Sequence, residues 1–311
     1  FLRLNRENLQ PFGGVQVIFF GDLFQLPPVF SSELERELFS NFYESPYFFS
    51  AKVFKEFSVE MLELQKVYRQ EARYFIRLLD AVRTNRLDRD DLEDLNERYL
   101  PDFESEDFYI TLSARNATVD RINTRELGLI PLPEQVYFAQ ITGNFNPRLF
   151  PTEQALKLKL NAQVMFVRND PDKQFVNGTI GKIVKLESNA ISVMVEERDG
   201  RKRYIDVPKI DWEIMRYKQG EKNPNDIEAE VIGTFTQYPL KLAWAITIHK
   251  SQGKTFDRII IDLGRGSFEH GQTYVALSRC RSLEGIVLKQ PLRMSDIRTD
   301  ERIVAFYEQH F

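Results

Sequence analysis

Val15, Val17, Ile18, Phe19 and Phe20 form a nearly unbroken apolar run that stops at Gly21-Asp22. A half-solvated strand alternates apolar and polar residues. A continuous run is what a strand buried on both faces of a parallel sheet shows, so this one predicts an α/β fold. A loop carrying Gln25 and the rigid pair Pro27-Pro28 follows. In open α/β sheets ligands bind beyond the carboxyl ends of the strands, so Asp22 and Gln25 stand where a nucleotide would sit. The same residues also fit a core strand ending in a stiff turn, and the segment alone leaves both readings open.

A chain of 311 residues exceeds one ordinary core and predicts two or three domains. No stretch approaches the roughly 18 consecutive apolar residues of a membrane span, and no basic start followed by an apolar stretch reads as a signal peptide; no membrane partner is expected. The lone Cys280 excludes an internal disulfide and agrees with a reducing compartment. Three widely spaced histidines and one cysteine do not make a zinc site, and no metal-ligating residues are expected. The net charge of −4 argues mildly against nucleic acid, since small DNA-binding domains are usually basic. A channel for a single strand, however, needs only a local positive funnel. The sequence opens on Phe1 rather than methionine and is expected to be a piece of a longer protein.

Residues 3–10 read as the end of a helix that Pro11-Phe12-Gly13-Gly14 breaks. Helices are expected over 32–40 and 50–57, and a second strand over 59–65. Phe75, Leu78, Leu79 and Val82 then recur at helical spacing. A short acidic helix over 90–99 would take Asp90 or Asp91 as its N-cap. A third strand is expected from Phe108 to Leu112, with Asn116 just after it and a helix over 117–126. Between 161 and 207 the pattern changes to short alternating segments at 163–168, 179–186, 190–196 and 202–207. Asp199-Gly200 supplies a two-residue hairpin turn between the last two. That reads as a small β-barrel inserted into an α/β domain. Residues 217–226, polar with Gly220 and Pro224, read as a flexible loop; a strand from Ile259 to Leu263 and a helix over 271–279 restore the α/β pattern.

Two further clusters carry chemistry. An apolar stretch after Gln237 ends in Thr247, His249, Lys250 and Ser251, short or cationic donors able to grip phosphates, or simply a polar loop. Gly253-Lys254-Thr255 is not a Walker A motif, because Ile248 stands where that motif needs glycine. In Gly271 to Arg281, a helix would bury Tyr274, Val275 and Leu277 and present Arg279 at its end. A guanidinium there is either a surface charge or an arginine finger on a transferring phosphoryl group, and Arg69 is a second candidate of the same type. Cys280 beside it reads as a small packing residue.

Gly-Asp-Leu-Phe-Gln-Leu-Pro-Pro-Val (21–29), Val-Tyr-Arg-Gln (67–70), Thr-Ile-His-Lys-Ser-Gln-Gly (247–253) and Tyr-Val-Ala-Leu-Ser-Arg (274–279) occur in one order. In order and wording they closely resemble the Pif1-like DNA helicases, the RecD-related branch of superfamily one, and the resemblance covers essentially the whole chain. Phe12-Gly13-Gly14 and Asn177-Gly178-Thr179 fit it too. It implies two RecA-like domains with parallel sheets: residues 1–58 as the tail of the first, and 59–311 as the second, interrupted at 155–235 by an SH3-like β-barrel. It implies ATP with Mg2+ as cofactors, with Gln25 as γ-phosphate sensor, Asp22 supporting the metal and water, and Arg69 and Arg279 reaching the γ-phosphate. Gly253 would couple the nucleotide to DNA, while Asn116, Thr247, His249, Lys250 and Ser251 would lie along single-stranded DNA. The implied partners are single strands and duplex junctions, met by a monomer in DNA repair and recombination. Its location would be cytoplasmic, or nuclear or mitochondrial in a eukaryote.

The departure from the family is an absence. Walker A and Walker B segments belong upstream of the 21–29 block, and this sequence has neither. The expectation is therefore a portion of a five-prime to three-prime DNA helicase that by itself does not hydrolyse ATP. The alternatives are a non-catalytic DNA-binding remnant and a RecD-like subunit of an exonuclease complex.

Overall fold

The computed structural model describes residues 2–55, 59–104, 107–197, 199–219 and 227–311. Helices α1 (Leu2–Asn5), α2 (Glu33–Ser40), α3 (Arg73–Arg83) and α4 (Arg89–Asn96) lead to strand β1 (Ile110–Ser113) and helix α5 (Asn116–Leu129). Strands β2 (Gln135–Phe138), β3 (Gln140–Gly143), β4 (Ala155–Leu158), β5 (Gln163–Phe166), β6 (Ile180–Leu186), β7 (Ile191–Glu196) and β8 (Lys202–Val207) follow. Next come β9 (Ile210–Gln219), β10 (Ile227–Gln237), β11 (Leu240–Leu242), β12 (Ala245–Thr247) and α6 (Ile248–Ser251). Strand β13 (Ile259–Asp262), α7 (Gln272–Ser278), β14 (Ile286–Leu288) and α8 (Glu301–His310) complete the order. No helix among the described residues is long and apolar enough to cross a membrane.

The chain divides into two compact units. The first comprises Phe1–Tyr99, Gly264–Leu283 and Gln290–Phe311; the second comprises Leu100–Leu263 and Glu284–Lys289. In the second, β12, β1, β13 and β14 form a wholly parallel sheet in that order. Ile110, Leu112, Ile259, Ile261, Ile286 and Leu288 are buried in it, the two-sided burial that continuous apolar strands require. This confirms the α/β class and the strands expected at 108–112 and 259–263. The alternating segments between 163 and 207 form β5 to β8, and with β11 they make a five-stranded antiparallel sheet. Its core gathers Val164, Phe166, Ile183, Val193, Ile205 and Leu240.

The first unit is helical and aromatic. Helix α3 buries the expected Phe75, Leu78, Leu79 and Val82. Phe24, Tyr47 and Ile303 form a second core, with Leu23, Phe49, Tyr274 and Tyr307 packed against it.

Several expectations fail. Residues 15–20 form neither helix nor strand and pair with no described strand, and Ile18, Phe19 and Phe20 are exposed. An apolar run proposes a strand; only a neighbour that takes up its N–H and C=O groups makes one. Residues 59–65 likewise form neither helix nor strand, with Leu62 and Leu64 exposed. In place of a helix over 50–57 there are two 3₁₀ turns, Phe48–Ser50 and Lys52–Lys55, and the rest of that segment lies outside the described residues, as does the boundary expected at 58. The first helix ends at Asn5, well before residue 10. The N-cap of α4 is Asp88, whose carboxylate accepts from the Asp91 N–H, because the helix starts earlier than its acidic residues suggest. Of the loop expected over 217–226, residues 217–219 instead pair with β10, and 220–226 lie outside the described residues.

Candidate functional site

Asp22, Gln25, Arg69 and Arg279 all belong to the first unit, and α7 gathers them. The loop at 22–25 closes as a turn, Gln25 N–H donating to the Asp22 carbonyl at 3.2 Å. The Asp22 carboxylate accepts from the Phe24 N–H at 3.1 Å through Oδ1. Its Oδ2 accepts from Gln25 Nε2 at 3.1 Å and from the Tyr274 hydroxyl at 3.2 Å. Phe24 is buried beneath, edge-on to Tyr307, and the Arg83 guanidinium lies 4.9 Å from its ring centroid. Gly271, just before α7, has φ +69°, and a Cβ on it would collide with the carbonyl oxygens of Phe24 and Gln25. Glycine is needed there for both its conformation and the closeness of the loop.

The other end of α7 presents the arginines. Arg279 is 2% exposed, its Nε donating to the Val275 carbonyl at 3.0 Å and its Nη2 to Ser278 Oγ at 2.8 Å. Arg69, half-buried, donates from Nη1 to the Ser278 carbonyl at 3.0 Å. Gln70 donates to the carbonyls of Ser278 and Cys280 at 3.1 and 2.8 Å, fastening the 67–70 segment to the helix end. Burial, and then the charge of Arg69, push the Arg279 guanidinium down to about 10. Burial is also the main cause of a lowered Arg69. Both remain cationic at neutral pH. Burial and the neighbouring Arg69 charge disfavour the Arg279 cation, while Tyr274 and Asp22 favour it.

The residues expected along DNA, and Gly253, belong to the second unit. Asn116 is exposed at the first turn of α5. Thr247 caps α6, its hydroxyl accepting from the Lys250 N–H at 3.3 Å. Lys250 is exposed and His249 half-buried, but Ser251 is fully buried and donates inward to the Ile248 carbonyl at 2.7 Å. Gly253 has φ +75° with open space around its Cα.

Sequence reasoning missed four residues. Helical spacing marks Tyr274 only as a buried position, and no local signal marks Arg83. Lys241 and Lys254 have lowered ammonium groups, first through burial; Lys241 is lowered further by the charges of Lys250 and Lys254. Lys254 Nζ donates to Asn177 Oδ1 at 2.7 Å, with its stem against Gly178. The Asn177-Gly178 pair was visible in the sequence, but its lysine partner was not.

The sequence profile of the PIF1-like helicases matches residues 2–91, and that of the DNA helicase Pif1 2B domain matches 146–186. The ATP-dependent DNA helicase Pif1 of Bdellovibrio bacteriovorus is 32% identical over 309 residues, covering 98% of this chain and 64% of the relative. The human ATP-dependent DNA helicase PIF1 is 34% identical, with 98% of this chain and 45% of the relative covered. Among solved structures, Bacteroides sp Pif1 in complex with ADP-AlF4 is 40% identical with a TM-score of 0.84, covering 99% of this chain and 70% of that one. The same protein bound to ssDNA matches with a TM-score of 0.72. The chain thus spans between 45% and 64% of the length of these curated relatives.

Proposed function

The chain belongs to the PIF1-like helicases, and from that membership we propose that it supplies the arginine-bearing part of the ATP site, and part of the DNA path, of an ATP-dependent DNA helicase. The observation that carries the proposal is the convergence on α7 of Gln25, Asp22, Arg69 and Arg279, residues from three distant parts of the sequence. One buried and one half-buried guanidinium, held at the same helix end, fit the end of a nucleotide where negative charge builds during phosphoryl transfer. ATP supplies the phosphoanhydride whose cleavage releases energy; Arg69 and Arg279 would hold its γ-phosphate. Among the described residues no cluster of three or more His, Cys, Asp or Glu could ligate a metal. Mg2+ at such a site would be held chiefly by the nucleotide's phosphates, with Asp22 proposed to support it.

Bacteroides Pif1 was crystallised with ssDNA, which supports single strands as the partner of this family member. Thr247, His249, Lys250 and Asn116 are proposed to meet their backbone, and Gly253 to link that grip to nucleotide state. Ser251 would act indirectly, by bracing α6 through Ile248. In domain terms, we assign 1–58 to a first RecA-like domain and 59–311 to a second. The exposed, unpartnered run at 15–20 supports the first assignment, since in a complete sheet it would be covered. The five-stranded antiparallel sheet supports reading the insertion at 155–235 as an SH3-like barrel. The protein is proposed to act as a monomer in a reducing compartment. The test is ATP turnover by the complete gene product, with and without single-stranded DNA, beside the 311-residue chain alone. DNA-stimulated turnover by the first and none by the second is expected. No turnover by the complete product overturns the reading.

A further inference from the structure

Asp22 makes a contact that no assigned role explains. Its Oδ2 is shared by the Gln25 amide and the Tyr274 hydroxyl, across a gap of 252 residues in sequence. An ionised carboxylate only accepts hydrogen bonds, so the Gln25 amide must face it with nitrogen. The flipped amide would set one acceptor against another. The carbonyl oxygen Oε1 is consequently turned away from Asp22. Tyr274 is well placed to lock this arrangement. Its ring packs on the Phe24 core, and Gly271, three residues earlier, lets the backbone of the same loop close onto the helix. Burial, and then the charge of Asp22, raise the Tyr274 phenol above its ordinary range, so it remains the donor.

We propose that Tyr274 is a positioning residue for ATP hydrolysis: through Asp22 it fixes the Gln25 amide with the carbonyl oxygen presented as the acceptor that orients the attacking water. In the reaction the water oxygen forms a new bond to the γ-phosphorus as the bond to the β-phosphate oxygen breaks. ADP departs, and the water proton leaves with the phosphate product. Gln25 neither gains nor loses a proton; it only aims the water. Because Tyr274 and Arg279 ride on one helix, α7 sets the position of both the water-orienting amide and the charge-stabilising guanidinium.

This inference rests on the ATPase reading above, and the experiment separates the two. In the complete gene product, Tyr274→Phe keeps the ring and removes only the hydroxyl. It is expected to lower kcat about tenfold, the scale of one hydrogen bond to a charged group, with KM for ATP within about twofold. In a Gln25→Ala background the same change is expected to do nothing further, and Asp22→Asn is expected to match Tyr274→Phe. An equal loss with and without Gln25, a change in KM rather than kcat, or an unchanged kcat overturns the inference while leaving the ATPase reading intact. Absence of turnover in the unmodified protein overturns both.

Discussion

Arg279→Met separates a catalytic arginine from a structural one. The guanidinium is buried and held at about 10, well below an ordinary arginine. That fall corresponds to about 3 kcal/mol against the charged form. A base whose pKa is lower in the fold than in the unfolded chain destabilises the fold throughout the range below its folded value. The cost is therefore fully present at neutral pH and vanishes only above the range where an ordinary arginine titrates. Methionine fills a similar volume without charge. It forfeits the charge-assisted bonds to the Val275 carbonyl and Ser278 Oγ, each about 1.5 kcal/mol net. The two nearly cancel, which leaves the variant within about 1 kcal/mol of the unmodified protein, a change of no more than roughly 4 °C in Tm. Turnover should instead fall by about a thousandfold or more, as for a lost arginine finger. Thermal melts and DNA-stimulated ATPase rates on the complete gene product read both quantities. A Tm lowered by more than about 5 °C, or turnover within tenfold of the unmodified protein, refutes the reasoning.

Gly271→Ala should destabilise the first unit by at least about 1 kcal/mol, since the alanine meets both a left-handed backbone and the Phe24 and Gln25 carbonyls; urea unfolding measures it, and an unchanged midpoint contradicts the packing described. Lys250→Ala should weaken single-strand binding and reduce the slope of log affinity against log salt by about one unit. An unchanged slope means that Lys250 touches no phosphate. Asp300 is held at about 2, first by its hydrogen bond from Arg302, below its ordinary 3.8. The carboxylate therefore contributes about 2 kcal/mol above that ordinary value, lost as pH falls from about 4 towards 2. Asp300→Asn should flatten this acid limb in pH-dependent melts; a limb that keeps its slope shows that other carboxylates set it.

Local order was legible in the sequence and long-range company was not. The apolar spacing of α3 and the alternation of β5 to β8 are local signals, and both elements form where expected. The 15–20 run carries an equally strong local signal, yet its state depends on strands beside it, which spacing does not encode. The site divides in the same way. Residue types and their order pointed to Gln25, Arg69 and Arg279. Nothing local showed that Arg279 would be buried rather than exposed at a helix end, or that Tyr274 would reach Asp22. Lys254 was masked by its place in a rejected Gly-Lys-Thr motif, and only the fold sets it against Asn177.

The central claim is an ATP-driven motor that tracks along one DNA strand. Strand separation by the complete gene product on two duplexes, one with a five-prime single-stranded tail and one with a three-prime tail, tests it most directly. The account predicts ATP-dependent separation of the five-prime-tailed duplex alone. It is contradicted if neither duplex opens, or if the three-prime-tailed one opens instead.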